Sequence, residues 1–462
     1  SIAWTPDGES IVFWSKGTFH RVDVSDGSVK DIPVRVKTTK KVRPALRSKV
    51  KVATDEFEAQ GIRWASYTPD KTQVVFQALG YIWLKDLRSG EQRRLTRQTD
   101  HYEFYPVISP DGRSVLHTTW NDGTLGSVRI TNLKGNRSTT LTPQPGHYIE
   151  PAFSADGEQV LVRKFEGGDL LSPLWSLNPG IYRVRADGTQ PPQLVSRKGS
   201  HAHFNADGSR VFFTTKTGIR NTELLLKSVN LEGKDPRDHL QGAKATRFLV
   251  SPDGRWVAFI ENFKTYLAPF FSNGKIIKIS GKTKEFSVAQ VSARSGEFLQ
   301  WSADSKTLNW SHGRHLYQRD LNQAFAFLQG APETLPEPAA SGLDLAFAQA
   351  GDEPRGSIAL VGGRVVTMRD ADQQQEIIED GVVVIEDNRI VAVGPRDQID
   401  IPADAFQLDT TGKTVLPGLV DAHAHGGMGS NEINPQQNRI QLANLAFGVT
   451  TIHDPSNDTS EF

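Results

Sequence analysis

The sequence has no cysteine, no excess of charge of either sign and no long apolar run. Without cysteine there is no disulfide, thiol nucleophile, zinc-thiolate site or iron-sulfur cluster. Any metal must be held by histidine and carboxylate, which suit zinc, manganese, iron or nickel. No apolar stretch approaches the roughly 20 residues that cross a bilayer. The 53 basic and 53 acidic residues argue against a protein that mainly binds nucleic acid or an anionic membrane.

The length and ends of the sequence indicate a multidomain protein seen in part. At roughly 100 to 200 residues per domain, the chain predicts two to four domains. It begins inside a strand-turn pattern without an initiator Met, and it stops soon after a buried-strand pattern. We therefore expect truncation at both ends, so the lack of a targeting segment does not indicate a compartment. The lack of cysteine is compatible with an extracytoplasmic, for example periplasmic, bacterial protein.

A turn signature of the type Ser-Pro-Asp-Gly recurs seven times in the first two thirds of the chain. Its aspartates are Asp7, Asp70, Asp111, Asp156, Asp207, Asp253 and Asp304. In such a turn Pro presets φ, Asp binds the following backbone and Gly accepts a positive φ. Short apolar strands follow each turn, and no helical pattern separates them. The pattern predicts β-propeller blades of four strands each.

This signature resembles the blades of TolB-like and tricorn-type β-propellers over about residues 1–335. We expect about seven blades there. Lys71 and Ser305 stand where the other turns have Gly, which weakens those two turns.

Two features of the propeller region invite a functional interpretation. Residues 33–52 hold eight Lys or Arg and no acid, a pattern that could bind an anionic partner. Without interleaved aromatic residues we favour a solvated surface segment. His201 and His203 have the spacing of a metal pair in the first strand of a blade. No third ligand is recognisable nearby, so we favour channel-lining or core histidines.

The pattern changes after the repeat. Residues 336–354 are rich in Pro and small residues, as in a linker. Residues 355–414 contain short apolar strands and a hairpin. The pattern of residues 415–462 predicts a strand, a helix over 435–447 and a second strand over 449–452. Together these elements form one β-α-β unit.

The strongest chemical motif is His423-Ala424-His425, just beyond the apolar run of the strand that contains Leu419. With period 2, both imidazoles project to the same side at the carboxyl end of that strand. A parallel barrel places its active site at this end. Two imidazoles at this spacing can bind one divalent cation.

The run from Ile358 to Ile452 resembles the amidohydrolase superfamily, near imidazolonepropionase and the prolidase-like members. The resemblance implies a mainly β chain: a multi-bladed propeller, then a small β-sandwich portion (355–414), then the first β-α-β unit of a (β/α)8 or TIM barrel (415–462). It implies a metal-dependent hydrolase of amide, cyclic amide, peptide-like or ester bonds. His423 and His425 would be its first two metal ligands, and the metal would be zinc before other divalent ions, with one or two ions bound.

The resemblance also places other parts of the site. His453 and Asp454 would lie behind the ligands, although a surface turn before Pro455 fits them equally well. Asp421 would be structural. The general base and the remaining ligands would lie beyond residue 462, in the rest of the barrel from the same parent chain or a second chain. The chain alone would therefore be inactive.

Three functions remain open from the sequence. In the first, the propeller recruits or filters a small-molecule or peptide-like substrate for the hydrolase. In the second, the protein is a propeller-based binding or scaffold protein without hydrolase activity. A tricorn-like peptidase is the third, and the lack of a Gly-x-Ser-x-Gly motif argues against it.

Overall fold

The computed structural model describes residues 2–41, 54–135, 137–165, 177–371, 374–425 and 429–455. The chain divides into two compact units, Ser1–Val52 and Ala53–Phe462. No helix among the described residues is long and apolar enough to cross a membrane.

The first unit contains one antiparallel sheet of four strands in sequential order. Its strands are β1 (Ile2–Trp4), β2 (Ser10–Ser15), β3 (Thr18–Asp23) and β4 (Val29–Ile32). The basic segment follows this sheet. Its residues 33–41 form no strand or helix, and its residues 42–52 lie outside the described residues.

The second unit begins with β5 (Glu56–Ala59) and continues with six antiparallel sheets, here called blades 1 to 6. Blade 1 has β6 (Arg63–Tyr67), β7 (Gln73–Ala78), β8 (Tyr81–Asp86) and β9 (Gln92–Arg94). Blade 2 has β10 (Tyr102–Ile108), β11 (Ser114–Trp120), β12 (Val128–Asn132) and β13 (Ser138–Thr140). Blade 3 has β14 (Tyr148–Phe153), β15 (Gln159–Lys164), β16 (Gly180–Arg185) and β17 (Gln193–Ser196).

The other three blades follow the same plan with one addition. Blade 4 has β18 (Ser200–Phe204), β19 (Arg210–Thr217), β20 (Glu223–Asn230) and β21 (Arg237–Gly242), and β25 (Ile277–Lys278) adds a parallel fifth strand. Blade 5 has β22 (Ala245–Val250), β23 (Trp256–Glu261), β24 (Lys264–Pro269) and β26 (Ala289–Gln290). Blade 6 has β27 (Glu297–Trp301), β28 (Thr307–His312), β29 (His315–Asp320) and β30 (Leu343–Asp344).

The blade turns form as their side-chain chemistry predicts. In blade 2 the Ser109 hydroxyl donates to Asp111 Oδ1 at 2.6 Å, and the same oxygen accepts the Arg113 amide at 3.0 Å. Gly112 follows with φ of 70°. At the two turns without Gly, Lys71 and Ser305 adopt the same left-handed backbone, with φ of 54° and 59°. A side chain there is strained by its Cβ.

The six blades close into a ring because an apolar cluster fills each junction between neighbours. Blade 1 packs on blade 2 through Val75 and Val115, for example, and the last junction joins Leu316 of blade 6 to Phe76 of blade 1. β31 (Phe347–Ala350) pairs antiparallel with β5, which ties the chain beyond blade 6 to the chain before blade 1. Closure buries the apolar faces that the first and last blades would expose in an open array.

Polar groups reinforce this closure. Arg314 contacts the Glu58 carboxylate at 2.6 and 2.9 Å and the Asp344 carboxylate at 2.7 and 2.8 Å. Segment 336–354, which has the composition of a linker, thus contributes β30 to blade 6 and β31 to the closure.

A separate mixed sheet follows the propeller. It runs in the order β34, β33, β32, β35, with β36 also pairing with β32. Its strands are β32 (Ser357–Ala371), β33 (Gln374–Glu386), β34 (Arg389–Pro395), β35 (Phe406–Asp409) and β36 (Thr414–Val415). Its core contains Ala359, Val361, Val382 and Val384.

The last elements are β37 (Leu419–Asp421), α1 (Arg439–Ala446) and β38 (Val449–Ile452). β37 and β38 pair in parallel, and α1 lies between them in sequence. The predicted helix over 435–447 is shorter in the structure. Its Asn438 side chain caps the N-terminus by accepting the Ile440 and Gln441 amides.

Candidate functional site

The histidine pair follows β37 at the carboxyl end of the parallel strands. The rings of His423 and His425 are 5.0 Å apart between centroids, with an angle of 68° between their planes. With Zn–N bonds of about 2.1 Å, two imidazoles on one tetrahedral ion have ring centres about 5 Å apart. The centroid separation therefore matches that of two imidazoles on one divalent ion.

Hydrogen bonds within and between the two strand ends hold this segment. The Asp421 carboxylate accepts the His423 amide at 3.0 Å, and the Asp421 carbonyl accepts the His453 amide at 2.8 Å. The His453 carbonyl in turn accepts the Ala424 amide at 3.0 Å. His453 thus contributes its backbone here, and its side chain is exposed.

Asp454 lies behind one of the two histidines. Its Oδ1 is 3.6 Å from His425 Nδ1, and its side chain is mostly buried whereas that of His425 is exposed. Metal-binding histidines commonly donate their second ring nitrogen to a carboxylate, which fixes the ring. Among the described residues no group of three or more His, Asp or Glu could hold a metal. The histidine pair therefore supplies only part of a metal site.

A cavity of about 670 Å³ occupies the centre of the propeller. The first strands of all six blades line it, together with turn residues such as Pro69 and Pro110. Glu432, from the segment between β37 and α1, also lines it. The volume is within the range of pockets for small ligands.

One residue from each blade forms a ring around this cavity, here called the channel ring. Its members are Trp64, Tyr105, Glu150, His201, Arg247 and Phe298. Each stands six residues before the turn aspartate of its blade. In five of the six, all but Arg247, φ is positive, between 48° and 56°. A bulge next to each ring position interrupts the pairing of the first strand and re-aims the side chain.

The bulge separates His201 from His203. His201 Nδ1 lies 3.2 Å from the Glu150 carboxylate, and burial followed by nearby Arg247 lowers the pKa of His201 to about 3. His203 Nε2 accepts the Val250 amide at 3.1 Å, and burial lowers the pKa of His203 to about 4. Both imidazoles are neutral at neutral pH, and His203 is held between blades 4 and 5 by Phe212 of its own blade and the Val250 amide of the next.

Glu150 lies between the His201 ring and the Arg163 guanidinium. Burial alone would raise its pKa, but the neighbouring His201, Arg163 at 3.4 Å and the hydrogen bond from the His201 amide together outweigh burial, so the pKa of Glu150 is lowered. The carboxylate also accepts the His201 amide at 2.6 Å.

The segment after the histidine pair docks on the propeller. Ile433 is fully buried in a cluster with Trp64 and Tyr105. The Arg63 guanidinium donates to the Glu432 carbonyl at 3.0 Å. The Asp122 carboxylate accepts the amides of Gln436 and Gln437, and these contacts explain why α1 begins only at Arg439.

The sequence interpretation singled out the histidine pair and expected His201 and His203 to line the channel or lie in the core, but it missed the rest of the channel ring and the docking segment. The ring could have been found by aligning the blades on their turn aspartates, since its members share one offset. No local pattern marks residues 430–437, because their partners lie more than 300 residues away in sequence.

In the part of the chain that the structure describes, the first unit is a four-stranded sheet, and the second combines a six-bladed propeller with a mixed sheet and a β-α-β unit that carries a histidine pair. No protein-family model matches it. It is 37% identical over 82 residues to imidazolonepropionase of Vibrio cholerae, which is 18% of this chain and 20% of that protein. It is 39% identical over 71 residues to 5-methylthioadenosine/S-adenosylhomocysteine deaminase of Symbiobacterium thermophilum. These residues are 15% of this chain and 16% of that protein.

A third relative is imidazolonepropionase of Geobacillus kaustophilus, 52% identical over 54 residues, which are 11% of this chain and 13% of that protein. The chain thus spans a fifth or less of the length of these curated relatives. The similarities link part of the chain to amidohydrolases.

Three solved structures have a partial similarity to the chain. An oligogalacturonate lyase in complex with manganese has a TM-score of 0.39 at 14% identity, over 69% of this chain and 87% of that one. TolB from Acinetobacter baumannii has a TM-score of 0.35 at 17% identity, over 64% of this chain and 63% of that one. The tricorn protease has a TM-score of 0.38 at 11% identity, over 69% and 38%. The propeller assignment rests on the sheet order and the ring closure described above.

Proposed function

We propose that this chain is part of a metal-dependent hydrolase of carbon–nitrogen bonds, with His423 and His425 as its first two metal ligands. The observation that carries the proposal is the placement of both imidazoles, 5.0 Å apart, after a strand of a parallel pair. The partial similarity to an imidazolonepropionase and a deaminase supports the class of reaction.

The chain's own residues would bind and orient the ion. His423 and His425 donate ring nitrogens, and the Asp454 carboxylate steadies the His425 ring from behind. A bound divalent ion, zinc in the first instance and one or two in number, would supply a Lewis acid that activates water and polarises a carbonyl. Substrates of this class contain an amide, a cyclic amide, a peptide-like bond or an ester.

Exposed apolar side chains support further barrel elements at this unit. Leu419 and Val420 of β37 and Phe447 after α1 are 55%, 66% and 83% exposed. Water contact with so much apolar surface is unfavourable. Strands and helices of the parent chain or of a second chain would cover it and would bring the remaining ligands and the general base.

The propeller would recruit or filter a small-molecule or peptide-like substrate. Support comes from the docking of residues 430–437 on blades 1 and 2, since this segment lies between the histidine pair and α1 in sequence. A propeller that serves only for binding would need no metal, so metal content distinguishes the two functions.

The test is metal content in the full-length protein after dialysis, by elemental analysis. We expect His423→Ala and His425→Ala to lose bound zinc. The control His312→Ala changes a partly exposed propeller histidine and should keep it. Wild-type metal content in both site variants would refute the ligand assignment, and a metal-free wild-type protein would favour the binding or scaffold function.

A further inference from the structure

The channel ring has two chemically different halves. Phe298, Trp64 and Tyr105 come from the consecutive blades 6, 1 and 2, and their rings are in contact: Trp64 lies 4.2 Å from Tyr105 and 5.2 Å from Phe298 between centroids. Blades 3, 4 and 5 supply Glu150, His201 and Arg247. One side of the cavity is therefore aromatic and the other is polar.

Arg247 is the member of the polar half whose guanidinium makes no hydrogen bond or ion pair among the described residues, and the Glu150 carboxylate attracts its charge only from a longer distance. Glu150, by contrast, contacts both Arg163 and His201. Arg247 is half-buried and lines the cavity. A guanidinium stays charged in proteins, so this charge is held in the channel without a counterion at hydrogen-bonding distance.

A charge at such a position without a hydrogen-bonded counterion destabilises the protein, and a bound anion would supply that counterion. Backbone strain points to the same place. Trp64, Tyr105 and Phe298 are bulky residues with φ of 48°, 54° and 53°, a conformation that such residues rarely adopt. Conformations of this kind persist where the surrounding structure enforces them, and they cluster at binding sites.

We propose that the propeller channel binds a small organic anion, with its anionic group on Arg247 and its apolar or aromatic body against Trp64, Tyr105 and Phe298. A carboxylate and a phosphate both match the donor fork of a guanidinium. The cavity of about 670 Å³ holds such a ligand. This site is separate from the histidine pair and does not depend on the proposed metal.

Titration calorimetry of the full chain with three probes tests the proposal. Phenylacetate and phenyl phosphate carry an aromatic body and either anion, and phenylacetamide is the neutral counterpart of phenylacetate. We expect at least one of the two anions to bind. If phenylacetate binds, phenylacetamide should bind at least about tenfold more weakly than phenylacetate, because it lacks the charge that pairs with the guanidinium. The anion that binds more tightly shows whether the site prefers a carboxylate or a phosphate.

Three variants locate the site. Arg247→Gln should weaken anion binding at least about tenfold, and Arg247→Lys, which keeps the charge but loses the fork, should have an intermediate effect. Arg255→Gln removes an exposed arginine of the same blade and should bind as the wild type does. Without ligand, Arg247→Gln should melt at the wild-type temperature or above it, because an unpaired charge is removed.

The proposal is overturned if neither anion binds the wild-type chain, or if the anion that binds has the same affinity for Arg247→Gln. Phenylacetamide binding as tightly as a bound phenylacetate would also overturn it. A lower melting temperature of Arg247→Gln with wild-type affinity would show that Arg247 is structural. None of these outcomes depends on His423, so a failure here leaves the hydrolase proposal unaffected.

Discussion

The Tyr105 hydroxyl donates a 2.8 Å hydrogen bond to the carbonyl oxygen of Asn431. Burial raises the pKa of Tyr105 well above its usual value, so the hydroxyl keeps its proton and remains a donor. Tyr105 belongs to the channel ring, and Asn431 lies in the segment that follows the histidine pair. The bond therefore connects the wall of the propeller cavity to the segment that leads from the candidate metal ligands to α1.

Tyr105→Phe should loosen this docking. The change leaves the Asn431 carbonyl without its partner and should lower the free energy of unfolding by about 1 kcal/mol in urea denaturation. Amide hydrogen exchange of residues 430–437 should become faster. Tyr182→Phe removes an exposed hydroxyl that donates to the Asn178 carbonyl, and it should cost under about 0.5 kcal/mol. Unchanged exchange in Tyr105→Phe would mean that the apolar contacts of Ile433 alone hold the segment.

Two blade turns should respond differently to the same substitution. Lys71→Gly relieves a left-handed backbone at an exposed position and should stabilise the protein by about 0.5 to 1 kcal/mol. Ser305 has the same backbone, but its hydroxyl oxygen accepts the Asp253 amide at 2.9 Å. Ser305→Gly loses that bond, so this variant should be stabilised less than Lys71→Gly or should be destabilised. Urea denaturation of both variants measures the difference, and equal stabilisation would contradict the role of the hydroxyl.

Stability should fall on mild acidification because buried histidines are neutral in the folded protein. The pKa of His203 is about 4 when folded, against about 6.5 when unfolded, because burial disfavours the imidazolium. Between these values the unfolded chain binds more protons, so stability is fully present above pH 6.5 and decreases toward pH 4. His203 alone accounts for a loss on the order of 3 kcal/mol across that range.

Denaturation at several pH values tests this. Burial also lowers the pKa of His117, His147 and His239 to about 4, which adds to the trend. His203→Gln should make the stability less dependent on pH, because it removes one of these groups. His312→Gln, at a partly exposed histidine bonded to Ser295, should keep the wild-type dependence. If the free energy of unfolding depended on pH identically in the wild type and in His203→Gln, His203 would not contribute to the acid sensitivity.

Asp454→Asn should weaken metal binding without removing a ligand. A carboxylate behind a metal-bound histidine fixes its ring, and loss of such a partner typically costs about 10- to 100-fold in metal affinity. Zinc affinity measured by competition with a chelator should fall in that range. Asp397→Asn, at an exposed position in the mixed-sheet region, is the control and should leave affinity unchanged. Wild-type affinity in Asp454→Asn would show that the 3.6 Å contact with His425 does not orient the ring.

The sequence by itself determined the features that depend on neighbouring residues. The blade turns follow from Ser, Pro, Asp and Gly within four positions, as the bonds of Ser109 and Asp111 illustrate. The spacing of His423 and His425 after an apolar run likewise predicted a pair of neighbouring imidazoles. These interactions span only a few residues, so the order of side chains is enough to specify them.

Only the tertiary structure decided how the blades close and what the cavity contains. Closure depends on pairs such as Glu58 with Arg314, which are 256 residues apart and meet only when the ring forms. The bulges that turn Trp64 and Arg247 toward one cavity depend on the pairing of each first strand with its neighbour. Contacts between distant segments are set by packing of the whole ring, and no local pattern encodes them.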